Sequence, residues 1–236
     1  MDELERPDLP PHLPDLPDLS RVRVPSTRLL DAAQPGVDKL IHLVWKTTVH
    51  HPERVPQGPA IFACNHVGLF DGPLAVALLP QAQAMAKKEL WSVGPLGRLL
   101  DALGQVPVDR WNPDPDCIRR CIQLLDAGRK LVIFPESHRG RGDFHNFKRG
   151  AGYLAMVTGA PVVPVALLGT SVGGKGLASV PRPRREVHVV YGDKVVVEPK
   201  AWPRTAADVA DVTAMLRGAC RQHIQQAQAE VGLELH

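Results

Sequence analysis

Stretches of apolar residues recur along the chain at intervals that suit buried β-strands. Three are apolar nearly throughout, AIFAC (60–64), KLVIFP (130–135) and APVVPVALLG (160–169). Strands that are apolar on both faces are typical of parallel sheets covered by helices on each side. Further strands are predicted for TTVHH (47–51), AQAMAKK (82–88) and QVPVD (105–109), and a pair that turns at Gly192-Asp193 for REVHVVYGDKVVVEP (185–199).

Segments with helical spacing of apolar residues lie between these strands. They are PGVDKLIHLVWKT (35–47), GPLAVALLP (72–80), ELWSVGPLGRLLDALG (89–104, broken at Gly94-Pro95), PDCIRRCIQLLDAG (115–128), FKRGAGYLAMVTG (147–159) and a polar helix from about Thr205 to Val231. The alternation predicts an α/β fold, with a mixed, largely parallel β-sheet flanked by helices on both faces. Proline density near the start predicts a Pro-rich N-terminal arm over 1–34, followed by a single domain over 35–236.

Composition narrows the class of partner. The chain has 236 residues and a formal net charge of +3, which suits an anionic small substrate or a lipid headgroup surface. This charge is too weak to indicate nucleic acid, and with 5% aromatic residues the sequence offers no stacking platform for bases. The four cysteines form no CxxC pair and no zinc-like spacing with histidine, so we expect buried, reduced thiols.

The first residues and the lengths of the apolar stretches bear on where in the cell the protein is located. The first residues, MDELERPDLPP, lack the basic and apolar regions of a signal peptide. No stretch approaches the ~20 apolar residues of a membrane span. We therefore expect a cytoplasmic protein, with any membrane contact peripheral and at the inner face of the cell membrane.

A histidine and an aspartate, His66 and Asp71, stand five positions apart in NHVGLFD (65–71), directly after an apolar strand. A neutral imidazole is the usual general base near pH 7, and a carboxylate on its other nitrogen fixes the tautomer. The two side chains can meet if the chain turns from strand into helix between them, and Gly68 permits such a turn. Alternatively, Asp71 only caps the helix and His66 is a satisfied polar residue. On these seven residues alone, both interpretations stay open.

A second polar segment, FPESHRG (134–140), also follows a predicted strand. The guanidinium of Arg139 is well suited to a phosphate ester, because it can donate two parallel hydrogen bonds. Glu136 could orient a substrate hydroxyl or hold neighbouring backbone. The structural alternative is a surface ion pair in a polar loop.

Two more basic residues follow the same pattern. Arg110 comes after the strand in VPVDR (106–110), and Lys148 in FKRG (147–150) opens a helix, where an anion would be drawn to the N-terminus. The carboxyl ends of strands are where α/β folds build sites, and both NHVGLFD and FPESHRG stand at such ends.

The segments NHVGLFD, GQVPVDR (104–110), FPESHRG and APVVPVALLG resemble, in this order, the four blocks of the glycerolipid acyltransferase superfamily. That family includes 1-acyl-sn-glycerol-3-phosphate acyltransferases and glycerol-3-phosphate acyltransferases. The resemblance covers roughly residues 45–195, and four ordered blocks are far more specific than any one of them. It implies a glycerol-3-phosphate acyltransferase-like fold and makes residues 35–236 an acyltransferase domain.

The resemblance implies transfer of a fatty acyl group from acyl-CoA or acyl carrier protein to the hydroxyl of a phosphate-bearing glycerolipid. Lysophosphatidic acid, giving phosphatidic acid, is the first expectation, and glycerol-3-phosphate or another lipid or polyol is the alternative. His66 resembles the family's general base and Asp71 its orienting carboxylate. Arg110, Glu136 and Arg139 resemble its acceptor-binding residues. No metal or other cofactor is implied, since the thioester is already activated. Backbone amides near the NHVGLFD turn are candidate donors to the oxyanion.

One block departs from the family pattern, and other classes remain to be weighed. Ser137 and His138 stand where the family's FPEGTRS has glycine and threonine, which bears on the acceptor more than on the reaction. A non-catalytic lipid-binding relative would be expected to have lost His66 or Asp71. An acyltransferase with an HHxxxDG motif has a spacing that differs by one residue. A metal site of His66, Asp71 and His138 is chemically feasible, although nothing in the spacing demands it.

Two helical segments suit peripheral contact with a membrane surface, because apolar residues are flanked there by basic ones. The alternative is that their leucines simply face the core. The candidates are Trp91, Leu96, Leu99, Leu100 and Leu103 beside Lys87, Lys88 and Arg98, and, in the helix 36–46, Leu40, Ile41, Leu43, Val44 and Trp45.

Overall fold

Seven strands form one sheet in the computed structural model, which describes residues 18, 19, 22, 26–170 and 181–235. The strands are β1 (Lys46–His50), β2 (Ala60–Cys64), β3 (Ala82–Lys87), β4 (Val106–Val108), β5 (Lys130–Ile133), β6 (Val162–Leu168) and β7 (Glu186–Tyr191). Their order across the sheet is β1-β7-β6-β2-β5-β3-β4. Strands β2 to β6 are parallel, β7 is antiparallel to β6, and β1 is parallel to β7.

Helices cover both faces of the sheet. They are α1 (Arg28–Val44), α2 (Asp71–Leu78), α3 (Gly94–Ala102), α4 (Pro115–Asp126), α5 (Gly150–Thr158) and α6 (Ala206–Val231), with short 3-10 helices at Pro52–Arg54 and Lys88–Ser92. Helices α1 and α2 pack on one face, and α4, α5 and α6 pack on the other. The predicted α/β class, with a mixed and largely parallel sheet between two helical layers, is confirmed.

Alternation along the central strand explains why the two layers form. On β2, Ile61 and Ala63 contact the core beneath α4 to α6, whereas Phe62 and Cys64 contact the core beneath α1 and α2. All of β2 is buried, so this strand anchors both cores. Because β2 lies between β5 and β6, the residues that follow its end reach the middle of the sheet's carboxyl edge.

Two sequence predictions about elements are wrong. The segment 185–199 does not form a pair of strands, since only Glu186–Tyr191 is a strand and Val195 makes a single bridge to Val162. The reason is that β7 already has β1 on one side and β6 on the other, which leaves no edge for a hairpin partner. The first helix begins at Arg28 and continues through Pro35, because the buried Leu30 anchors its first turn.

Most of the predicted Pro-rich arm lies outside the described residues. Of positions 1–34, the structure describes 18, 19, 22 and 26–34, and the last seven of these belong to α1. In the described parts of the chain, no helix has both the length and the apolar character needed to cross a bilayer.

Candidate active site

His66 and Asp71 lie on the turn between β2 and α2, at the carboxyl edge of the parallel strands. The Nδ1 atom of His66 is 3.0 Å from Oδ2 of Asp71. Asp71 is fully buried and His66 is 8% exposed. Because an ionised carboxylate can only accept hydrogen bonds, Nδ1 carries the proton and Nε2 keeps a lone pair. The two side chains therefore form a buried hydrogen-bonded pair and are not unrelated polar residues.

The backbone of the same turn holds the Asp71 carboxylate. Its Oδ2 accepts hydrogen bonds from the N–H groups of Val67 (2.7 Å) and Gly68 (2.8 Å). The predicted capping role is wrong, because Asp71 is the first residue of α2 and Phe70 is the N-cap. Gly68 does not have a left-handed φ, and a Cβ there would lie 3.4 Å from the Thr170 carbonyl oxygen. The turn therefore does not depend on the conformational freedom of glycine.

An aromatic ring and a carboxylate pack against His66 from the chain that follows β5. The ring of Phe134 lies 4.4 Å from the imidazole, centroid to centroid, and shields one side of it. Glu136 Oε2 accepts from the backbone N–H of His66 (2.9 Å), and Oε1 accepts from that of Phe144 (3.2 Å). The N–H of Gly140 donates to the His66 carbonyl oxygen at 2.9 Å. Of its two predicted roles, Glu136 thus occupies the one that holds neighbouring backbone.

Burial dominates the electrostatics of Glu136. It raises the pKa of this carboxyl to about 7, although the two backbone N–H donors act in the opposite direction. The charges of Asp143 and Asp71 raise the pKa further. Burial therefore disfavours the ionised form of Glu136, and the hydrogen bonds from the two backbone N–H groups partly offset this effect.

Arg110 and Arg139 lie on the loops that follow β4 and β5. Burial lowers the pKa of Arg110, the charge of Glu89 raises it, and the charge of Arg139 lowers it. Glu89 and Arg139 thus both act on the Arg110 guanidinium, and the carboxylate acts the more strongly of the two. The Arg110 loop is fixed by Asp109, whose carboxylate binds the ammonium of Lys88. Both predicted arginines are thus brought to one part of the edge.

Lys148 and His138 are placed differently from the other candidates. Lys148 joins the site loop through its backbone N–H, which donates to the Pro135 carbonyl oxygen at 2.8 Å, and its side chain is exposed. His138 is also exposed, with Nδ1 2.9 Å from Ser137 Oγ and its ring 6.0 Å from that of Trp111. In the described part of the chain no three His, Cys, Asp or Glu residues form a group suited to a metal ion.

Comparison with known proteins assigns the chain to a family. The family model described as Acyltransferase matches residues 46–168, which is more than half of the chain and contains all six predicted site residues. The chain belongs to the acyltransferase family. The family predicted from the four blocks is thereby confirmed.

Individual relatives of this acyltransferase carry consistent names. A protein from Brassica napus named chloroplastic 1-acyl-sn-glycerol-3-phosphate acyltransferase is 30% identical over 164 residues, which cover 65% of this chain and 48% of the relative. A Bacillus subtilis 1-acyl-sn-glycerol-3-phosphate acyltransferase is 40% identical over 128 residues, covering 53% and 64%. The chain thus spans between about half and two thirds of these relatives.

A solved structure shows the same fold. The crystal structure of the 1-acyl-sn-glycerophosphate (LPA) acyltransferase PlsC from Thermotoga maritima superposes with a TM-score of 0.60 at 20% identity. The match covers 86% of this chain and 80% of that one. The predicted acyltransferase fold is therefore confirmed, while the roles of individual site residues remain predictions.

Sequence reasoning missed three residues of this acyltransferase's candidate site, Asn65, Phe134 and Gly142. The Asn65 amide donates to the Leu167 carbonyl oxygen (3.1 Å) and accepts from its N–H (2.7 Å), which fixes the exit of the chain from β2. A buried amide directly after a buried strand must satisfy both ends, and this signal could have identified Asn65. Nothing local indicates Phe134, which packs on His66, or Gly142, where a Cβ would lie 2.4 Å from Val67 Cγ1, because both contacts come from a distant segment.

Three of the candidate oxyanion donors of the turn are already occupied. The amides of His66, Val67 and Gly68 already donate to the carboxylates of Glu136 and Asp71. These three N–H groups are consequently not available to a tetrahedral intermediate, because freeing them would undo the geometry of the base. The oxyanion must be stabilised by other donors.

Proposed function

We propose that this acyltransferase moves a fatty acyl group from acyl-CoA or acyl carrier protein to the hydroxyl of lysophosphatidic acid, giving phosphatidic acid, with His66 as the general base. The observation that carries the proposal is the His66 imidazole, whose Nδ1–H faces a buried carboxylate at 3.0 Å in a chain of the acyltransferase family. The acceptor is supported by the relatives' names, 1-acyl-sn-glycerol-3-phosphate acyltransferase.

The proposed reaction uses both nitrogens of His66. Nε2 takes the proton of the acceptor hydroxyl as its oxygen attacks the thioester carbonyl carbon, which forms the new C–O bond. The tetrahedral intermediate collapses with cleavage of the C–S bond, and the imidazolium gives its proton to the departing thiolate. The products are the ester and the free thiol. Asp71 stabilises the imidazolium during this cycle and keeps Nε2 aimed at the hydroxyl.

The acceptor phosphate is assigned to the two arginines. Each guanidinium is a planar donor group that suits a phosphate, and the charge of Arg139 acts on Arg110, which supports a role for both in binding one anion. Lys148 lies on a segment whose backbone binds the same loop, and it contributes positive charge from the exposed side. Glycerol-3-phosphate carries the same phosphate, so it is the competing acceptor, followed by another lipid or polyol.

The proposed chemistry needs no metal or other cofactor, because a thioester is already activated toward attack. The experiment that tests the function is a mass-spectrometric acceptor screen with palmitoyl-CoA, with and without a metal chelator. Lysophosphatidic acid, glycerol-3-phosphate and a phosphate-free monoacylglycerol are offered in turn. We expect phosphatidic acid as the main product and no effect of the chelator. Product only from glycerol-3-phosphate would replace the acceptor, and loss of activity with the chelator would overturn metal-free base catalysis.

We also propose that the protein contacts the membrane surface peripherally, at the edge of the sheet where the active site opens. Because β1 runs opposite to β2–β6, the end of α1 lies at this edge, and Trp45 packs on Phe70 with ring centroids 4.5 Å apart. Exposed apolar side chains lie on the segments here, and we call them the apolar rim: Leu40, Leu43, Leu69, Val93 and Trp111.

The rim has the composition of an interfacial surface. Leu43 is 81% and Trp111 76% exposed, and Lys46 and Lys87 stand exposed at the same edge. Apolar side chains with lysines around them suit an anionic bilayer. The residues predicted from the sequence to contact a membrane differ in exposure: Ile41 is buried in the core, whereas Leu99, on α3, is exposed. A lysophospholipid would then enter the site directly from the lipid surface.

A further inference from the structure

Both polar groups of the His66 backbone are bound by one loop. Glu136 accepts from the His66 N–H at 2.9 Å, and the N–H of Gly140 donates to the His66 carbonyl oxygen at 2.9 Å. Arg139, which directly precedes Gly140 in this loop, is the proposed phosphate ligand. We propose that Glu136 is a positioning residue that fixes the backbone of His66, and that it is not a ligand of the acceptor. This inference rests on the proposed function.

The geometry of the carboxylate leaves little room for a substrate. Glu136 is 8% exposed, and each of its oxygens already accepts a backbone N–H, from His66 and from Phe144. Each oxygen could accept a second hydrogen bond, but with 8% of the residue exposed little of the carboxylate is left for a substrate hydroxyl to reach. The carboxylate therefore acts as a bridge that joins the turn carrying His66 to the segment around Phe144.

Only the ionised carboxylate can serve both donors fully. In a protonated carboxyl the hydroxyl oxygen is a weaker acceptor than a carboxylate oxygen, so one of the two N–H groups is bound less well. The charged groups that act on Glu136 are Asp71 from α2 and Asp143 from its own loop, and His66 touches it through the backbone. Activity should therefore need ionised Glu136 as well as neutral His66, and it should fall as the pH drops.

The kinetic test compares Glu136→Gln with Arg139→Lys, using lysophosphatidic acid and palmitoyl-CoA. Glutamine has the same shape, but its NH₂ group opposes one of the two N–H donors. Displacement of the general base lowers kcat, whereas loss of a group that binds the acceptor raises the acceptor KM. We expect Glu136→Gln to lower kcat by about tenfold or more, with the acceptor KM within about twofold. A raised KM at unchanged kcat, or no change in either constant, would overturn the proposal.

The pH profile separates positioning from a purely structural role. In the wild type Glu136 must lose its proton, so below about pH 7 kcat should fall by up to about tenfold per pH unit more steeply than it does in Glu136→Gln. Equal slopes in the two proteins would contradict the requirement for an ionised Glu136.

A measurement that does not depend on acyl transfer tests this inference separately from the proposed function. In ¹⁵N-labelled protein, the Phe144 amide, which bonds to Glu136 and not to the imidazole, should shift with pH around about 7. The shift should be absent in Glu136→Gln, or in Glu136→Met if the glutamine variant does not fold, because neither side chain titrates. A Phe144 amide that does not titrate in the wild type would overturn the bridge. Failure of acyl transfer with an intact titration would instead overturn the proposed function.

Discussion

The two ring nitrogens of His66 have different environments, and this difference is what makes the residue suited to proton transfer. Nδ1 is bound to buried Asp71, while no carboxylate binds Nε2 in the described contacts. General base assistance typically contributes ~10²–10⁴-fold to a rate. We therefore expect His66→Ala to lose at least ~10²-fold in acyl transfer while it keeps its fold, measured by turnover and circular dichroism.

A matched control is His42→Ala, since His42 is an exposed imidazole on α1 that contacts only Asp38 in the described hydrogen bonds and ion pairs. It should leave turnover within about twofold, because surface substitutions of this kind rarely disturb a fold. Near-normal turnover in His66→Ala would remove the base from the mechanism.

The phosphate role of Arg139 makes a separate residue-level prediction. Lysine keeps the positive charge but cannot donate two parallel hydrogen bonds from one planar group. Arg139→Lys should therefore raise the KM for lysophosphatidic acid by about tenfold or more, with a smaller effect on kcat. The same variant should change the KM for a phosphate-free monoacylglycerol little. An unchanged KM for the phosphate-bearing acceptor would contradict this assignment.

Glu136 also has a consequence for stability. Its pKa is raised to about 7 from an ordinary value of 4.5. Between these values the folded protein holds a proton that the unfolded chain releases, so the free energy of unfolding falls as the pH rises through this window. The shift corresponds to about 3 kcal/mol. Relative to wild type, Glu136→Gln should therefore gain about 3 kcal/mol between pH 4.5 and pH 8, measured by urea unfolding.

The free energy of unfolding must be measured for both proteins at both pH values. Other groups titrate in the same range, and their contributions cancel only in the difference between the two proteins. A difference that stays constant from pH 4.5 to pH 8 would show that Glu136 is not protonated in the folded state. The expected pattern means that the wild type loses stability where its site becomes active, as is common at functional sites.

At the scale of elements, the loop after β5 packs directly on the turn that carries the base. Gly142 has a φ of +69°, and a Cβ there would lie 2.4 Å from Val67 Cγ1 and 3.1 Å from Asn65 Nδ2. Gly142→Ala should therefore push on both neighbours of His66. We expect a loss of about 1–3 kcal/mol in the free energy of unfolding and a lower kcat.

Gly140→Ala is the matched control in the same loop. Nothing lies within 4 Å of a Cβ at Gly140, its φ is not left-handed, and an alanine keeps the N–H that donates to His66. This variant should change stability and kcat little. If both variants behaved alike, the close approach at Gly142 would not be what fixes the turn.

The elements that were predicted well are those whose burial shows in the local pattern of apolar residues. The apolar runs of β2, β5 and β6 and the amphipathic spacing of α4 were predicted within a few residues, because core contacts determine the pattern. The second strand after β7 was wrong because its absence depends on β1 and β6 occupying both edges of β7. No sequence window near residue 192 contains that information.

Site residues could likewise be predicted from the sequence only where their partners are close in the chain. His66 and Asp71 could be paired from the sequence because a strand-to-helix turn brings positions five apart together. The partners of Glu136 could not, since His66 is 70 residues away in the sequence. The contact arises only when β5 lies beside β2 and the loop after β5 folds across its neighbour's end. Predicting it requires the strand order, which periodicity alone does not give.

At the scale of the whole molecule, the reversed direction of β1 brings the end of α1, with Leu40 and Leu43, to the edge of the sheet that carries His66. Leu40 and Leu43 are exposed on α1, so their replacement should not disturb the core. We expect the double variant Leu40→Ser/Leu43→Ser to lose most binding to vesicles that contain an anionic phospholipid, measured by flotation. Wild-type binding should weaken at high salt, because lysines at the rim interact with the lipid charge.

The control is Met215→Ser, which removes an exposed apolar side chain from α6, on the opposite face of the sheet. It should float like the wild type, since its helix is remote from the rim. With a water-soluble short-chain acceptor, the Leu40/Leu43 variant should keep its turnover, but with a long-chain acceptor in vesicles it should lose activity in proportion to binding. Equal loss with both acceptors would mean that the leucines support the active site itself. No flotation of the wild type with either vesicle would show that the rim does not bind lipid.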